Sequence, residues 1–222
     1  GSFTAQAILL LAFFPLAWAV GRALAGSALS AYALETPARF WRPLAGCFLL
    51  AVAAKTLAVA VGVRLGVIAW LPAGALPAQA LGGLLSGLPF TFAPSIAEDL
   101  VTRGFWFRAS GIRWRPAAFV LASSAIYVAN HIYRLSNGPG EWAMLFTFGL
   151  AYGFAVVRFG SLWPAVGLHW GWNYGNLFTG TLWPYQTLSS SGSQGLAIAA
   201  HLALAVVVAA LSLNPAPSTR MS

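Results

Sequence analysis

Carboxylates are almost missing from this chain: Glu35, Glu98, Asp99 and Glu141 are the only acidic residues among 222. Charged residues of both signs amount to 7%, where a soluble domain carries roughly 25%. That scarcity excludes an ordinary soluble globular domain. Cysteine is nearly absent too. The single Cys47 excludes an internal disulfide and a cysteine-based metal cluster, and it reads as a small apolar residue in a helix. No repeat of about 20–50 residues is visible.

Long apolar runs fill the space that charge leaves. Hydrophobic residues make up 59% of the chain. Only helices and closed barrels satisfy their backbone groups in lipid, and these runs far exceed the roughly ten-residue alternating strands of a barrel. The expected fold is therefore all-α: a polytopic helical membrane bundle of about seven transmembrane helices, forming one membrane domain over 1–222. The spans read as 4–29, 43–70, 77–108, 115–134, 141–158, 161–178 and 194–213. The third is long, and reads as a spanning helix continuing into an amphipathic end that carries Arg103 and Arg108. Breaks fall at Pro43, Leu71-Pro72, Arg113-Trp-Arg-Pro116, Asn137-Gly-Pro-Gly140, Phe159-Gly160 and 189–193. Residues 214–222 hold no apolar run and read as a disordered tail. Gly1-Ser2 reads as a cloning scar.

The net charge is +8. Its basic residues lie between apolar runs, so topology accounts for them and nucleic acid is not an expected partner. Arg39, Arg42, Arg108, Arg113, Arg115, Arg158 and Arg220 share one side of a seven-span chain, and Arg134 lies on the other. Basic residues favour the cytoplasm, which predicts an external N-terminus and a cytoplasmic C-terminus.

The polar residues inside the spans are few. Glu98, His131, His169 and Asn173 fall at related depths, roughly 12–24 Å from the cytoplasmic boundary at about 1.5 Å per helical residue, and can converge on one site. A carboxylate at membrane depth costs roughly 2.5–3.5 kcal/mol on insertion scales, so an adjacent pair needs a partner or a task. Asp99 and Arg103 are four apart and can pair along one helix. Glu98 points about 100° away and stays available as a general base. His169 and Asn173 share a helix face. Histidine can position water or hold an oxyanion, and an amide can donate to one. His201, isolated in the last span, reads as structural. Lys55 and Arg64 read as snorkelling or paired cations, and Glu141 as an acidic residue in a first helical turn.

Glu98-Asp99-x-x-x-Arg103, Tyr127-x-x-x-His131 and His169-x-x-x-Asn173 resemble the three ordered motifs of the CAAX-protease and bacteriocin-processing (CPBP) family of intramembrane proteases: Glu-Glu-x-x-x-Arg, Phe-x-x-x-His and His-x-x-x-Asn/Asp. The resemblance covers residues 80–180, the expected catalytic core helices. Asp99 stands for the second Glu and Tyr127 for the Phe, and neither change removes a reactive group.

The resemblance implies an intramembrane endopeptidase acting on a membrane-associated protein or peptide, at a C-terminal tail or a leader. Glu98 would activate water and His131 would help bind it. His169 and Asn173 would stabilise the oxyanion, with Asp99 and Arg103 locking the helix that bears Glu98. No cofactor is expected. A divalent metal such as zinc is the alternative, because the family is often labelled metalloprotease and Glu98, His131 and His169 offer three ligands; a His-Glu-x-x-His helix is absent. Two other classes are a non-catalytic membrane scaffold and a proton-coupled transporter, although no inverted repeat is visible. Rhomboid chemistry lacks its Gly-x-Ser-Gly, since Ser86-Gly87 has no glycine at the required spacing. The small chain, rich in Ala, Arg and Trp, looks bacterial, which places it in the inner membrane.

Overall fold

The computed structural model describes residues 3–72 and 77–210, so the tail at 214–222 lies outside the described residues. The order is α1 (Phe3–Ala25), α2 (Ala28–Ala31), α3 (Trp41–Arg64), β1 (Ile68–Trp70), α4 (Pro77–Asp99), a π-helix (Leu100–Ala109), α5 (Pro116–Asn130), a 3₁₀ turn (Ile132–Asn137), α6 (Pro139–Phe159), α7 (Trp163–Leu182), β2 (Tyr185–Thr187) and α8 (Ser190–Ala210). The molecule is a helical membrane bundle.

Among the described residues, five helices are long and apolar enough to cross a membrane: those at Ile8–Ala25, Trp41–Arg64, Gln79–Ala109, Pro139–Phe159 and Ser190–Ala210. The other two of the seven expected spans differ for physical reasons. Helix α5 has only 15 residues. Helix α7 has 20 but spends several on His169, Asn173, Asn176 and glycine. The second span also ends earlier than the sequence suggests. Gly66 at φ +68° closes α3, and the chain then forms β1, which pairs antiparallel with β2.

The third span departs most. Its far end does carry one exposed and one buried arginine, Arg108 and Arg103, but not as a regular α-helix. Past Asp99 the helix widens to the π form, and Arg103 is fully buried. Such wide turns commonly occur at functional positions.

Glycine sets the position of α7. Gly167, Gly171 and Gly175 recur every four residues and face α3. A Cβ at Gly171 would run into the Phe48 carbonyl, and one at Gly175 would lie 2.9 Å from Lys55 Cβ. Small residues at this spacing let two membrane helices approach closely. Gly149 and Gly153 do the same for α6 against Ser124 and Ser123 of α5. Because His169 lies two residues, about 200°, from Gly167, the glycine face on α3 turns the His169–Asn173 face inward. We expect Gly171→Ala to destabilise the bundle by roughly 1–3 kcal/mol, the usual cost of overpacking, read as a lower unfolding midpoint in detergent.

Contacts sort the helix ends into two groups. At one end Leu162 N–H donates to the Ala33 carbonyl, Trp163 Nε1 to the Glu35 carbonyl at 2.9 Å, and Arg108 to the Gly160 carbonyl at 3.3 Å. These join the end of the α1–α2 segment, the end of the π-helix and the α6–α7 turn. At the other end the β1–β2 ribbon joins the ends of α3 and α7. Gln194 of α8 donates to Glu141 of α6 at 3.1 Å, and Arg134, just beyond α5, pairs with Glu141. This alternation is that of a chain whose seven long helices run up and down in turn.

Candidate active site

Four elements carry the site. Glu98 and Asp99 end α4, His131 caps α5, and His169 and Asn173 lie on the inward face of α7. His131 is not inside its helix, as the sequence suggests. The helix ends at Asn130, where the His131 N–H turns to the Val128 carbonyl and the chain tightens into the 3₁₀ turn.

Asp99 and Arg103 form a fully buried ion pair one turn apart. Arg103 also donates to Thr102 Oγ1 at 2.9 Å, and its guanidinium lies 4.7 Å from the Tyr127 ring centre and 5.0 Å from that of Tyr152. Two aromatic faces and one carboxylate thus surround a charge that lipid would not solvate. The π turn brings this cation inside the bundle, while Glu98, next to its partner Asp99, faces a cavity.

Glu98 meets both histidines. Its Oε2 lies 3.6 Å from His131 Nε2 and 3.7 Å from His169 Nε2. That oxygen is buried and makes no hydrogen bond to the described residues. The separations exceed a direct hydrogen bond, so Glu98 and the two imidazoles face one another across the cavity unbonded.

Hydrogen bonding sets one of the tautomers. His131 Nδ1 is 2.9 Å from the Tyr127 carbonyl oxygen. A carbonyl only accepts, so Nδ1 carries the proton and the neutral ring keeps its lone pair on Nε2, toward Glu98. His169 places Nδ1 3.4 Å from Asp99 Oδ1, stacks on Tyr152 with ring centres 5.1 Å apart, and has the Tyr127 hydroxyl 3.5 Å from Nε2. Asn173 donates through Nδ2 to Ser95 Oγ at 3.0 Å, which leaves its second N–H available. The expected set of Glu98, His131, His169 and Asn173 therefore comes together, lining one cavity of about 750 Å³. Among the described residues, no group of three or more His, Cys, Asp and Glu side chains is arranged to hold a metal ion.

Several residues join the site that sequence reasoning placed elsewhere. Glu141 is more than a first-turn acidic residue: it is 4% exposed, paired with Arg134 and bonded by Gln194, and it lines the same cavity. Lys55 also lines it, its ammonium 5.1 Å from the Trp172 ring. Ser95 and Tyr152 support Asn173 and His169. His201 is fully buried, bonded to the Tyr152 hydroxyl at 3.0 Å and stacked on Phe148. Arg64 lies exposed in the last turn of α3. Trp170 donates to the Leu88 carbonyl at 3.1 Å and packs on Phe48 and Phe92.

A polytopic helical membrane protein with a carboxylate, two histidines and an amide around an internal cavity is what these observations define. Residues 80–175 match the model of the family described as type II CAAX prenyl endopeptidase Rce1-like. The match spans the three motifs and supports the resemblance to the CAAX-type membrane proteases. No curated protein and no solved structure matches the chain.

Proposed function

We propose that this protein is an intramembrane endopeptidase that cleaves a membrane-anchored protein or peptide with water activated by Glu98. The observation that supports it best is the Glu98 Oε2 atom, unbonded and 3.6–3.7 Å from two imidazole nitrogens. A water there can give one hydrogen to Glu98 and the other to the His131 Nε2 lone pair, leaving its oxygen directed at a carbonyl carbon. Attack forms the new C–O bond and a tetrahedral oxyanion. The free Asn173 N–H and an Nε2–H on His169, whose Nδ1 lies 3.4 Å from Asp99 Oδ1, face that oxyanion. The C–N bond then breaks, and the proton taken by Glu98 passes to the departing amine. Asp99 and Arg103 fix the end of α4 on which Glu98 sits. The reaction calls on no metal; loss of activity with a chelator and its return with zinc would reverse that reading. We infer that the chain lies in a bacterial inner membrane and, on the distribution of its basic residues, has its N-terminus outside and its C-terminus in the cytoplasm.

The substrate class can be tested without knowing the substrate. A deletion strain is given back either the wild-type chain or Asn173→Ala, and the chain ends of its membrane and secreted proteins are compared by mass spectrometry. Loss of one oxyanion donor lowers turnover by about 10²–10³-fold. Wild type is expected to generate processed ends that Asn173→Ala fails to make while remaining folded. Equal processing by both would remove Asn173 from the site.

A further inference from the structure

Among the described residues, the cavity is lined at one end of the bundle. Its lining includes Ile68 and Thr187 of the two-stranded ribbon, Ser190 and Gln194 at the start of α8, and Arg134 and Glu141 where α5 gives way to α6. All belong to the end where α3 and α7 finish. Among the described residues, none at the opposite end lines it. His169 lies thirteen residues before the end of α7, whereas His131 sits at the end of α5, three residues before Arg134 of the rim.

Arginine divides the same two ends. Arg22, Arg39, Arg42, Arg108, Arg113, Arg115 and Arg158 cluster away from the mouth, in the last turns of α1, the π-helix and α6, in the segments before α3 and α5 and in the first turn of α3. At the mouth end stand Arg64 and Arg134, and Arg134 is neutralised by Glu141. Basic residues flanking membrane helices are retained in the cytoplasm, so the arginine-rich end faces inward and the mouth outward.

We infer that the substrate enters from the extracytoplasmic side, as a membrane-anchored segment of a protein already translocated. Tails that stay in the cytoplasm are thereby excluded. The rim suits a hydrated peptide, being built of Asn137, Ser190, Ser193 and Gln194 around the Arg134–Glu141 pair. The substrate part of this inference rests on the protease reading above; the sidedness does not.

Two cysteine variants read the sidedness directly. Cys47, 2% exposed, supplies the unlabelled background. Ser190→Cys reports the mouth and Ile112→Cys the arginine-rich end, both at exposed positions. In spheroplasts, a membrane-impermeant maleimide is expected to label Ser190→Cys at once and Ile112→Cys only after permeabilisation. The opposite pattern overturns the inference. In the same strain, protein ends that depend on Glu98, judged against Glu98→Gln, are expected on exported proteins. Glu98-dependent ends confined to cytoplasmic proteins would overturn the substrate assignment. Outside labelling of Ser190→Cys with no Glu98-dependent ends anywhere would overturn the protease reading and leave the orientation standing.

Discussion

Glu98→Gln is expected to lower turnover by roughly 10²–10⁴-fold, the usual worth of a general base, while the protein stays folded. The amide keeps the shape of the carboxylate but cannot take a proton from water. Folding should survive because Glu98 makes no side-chain hydrogen bond to the described residues, and its side chain is 30% exposed to the cavity. The bonds that hold this turn belong to its neighbours: Thr102 Oγ1 donates to the Glu98 backbone carbonyl at 2.7 Å, and Asp99 pairs with Arg103. The check is chain-end processing together with the unfolding midpoint of the purified variant. Undiminished cleavage by a folded Glu98→Gln protein would remove Glu98 from the reaction.

Arg103→Met is expected to cost about 3–5 kcal/mol of stability, enough to unfold much of the population, because it leaves Asp99 as a buried and uncompensated charge. Both side chains are wholly inaccessible, so water cannot take over the lost contact. Methionine also forfeits the guanidinium contacts with the Tyr127 and Tyr152 rings. The double change Arg103→Met with Asp99→Asn removes the stranded charge and should regain part of the loss. Unfolding midpoints in detergent for the two single variants and the pair give the coupling. A double variant no more stable than Arg103→Met would show that the pair is not what holds the end of α4.

Much of this site was readable from local spacing. Asp99 and Arg103 four apart, and His169 and Asn173 four apart, share helix faces whatever the rest of the chain does. Depth along successive spans sufficed to bring Glu98, His131 and His169 together. Arg103 was harder, because its expected place at an amphipathic end assumed a regular α-helix. The widening at Leu100 that takes it inside depends on packing against other elements. Glu141 and Lys55 were placed elsewhere, and Tyr152 was not singled out, for a similar reason. Each reaches the site across a helix–helix interface, and the glycine rows that set those interfaces show which faces meet only once the partner helix is known. The mouth was beyond local reading altogether, since it is the joint product of five helix ends. The break between Arg64 and Ile68 looked like continuous span because its residues are apolar; Gly66 was the one local signal of a stop.

The claim that Glu98 activates water, and does not itself attack the peptide, is tested most directly by one turnover in ¹⁸O-labelled water with enzyme in excess over a cleaved membrane peptide. The account predicts one ¹⁸O atom in the new C-terminal carboxyl group and none in Glu98, read by mass spectrometry of the product and of the enzyme fragment that carries Glu98. An unlabelled product together with ¹⁸O in the Glu98 carboxylate would contradict it, because that oxygen would then have come from a covalent acyl-enzyme formed on Glu98.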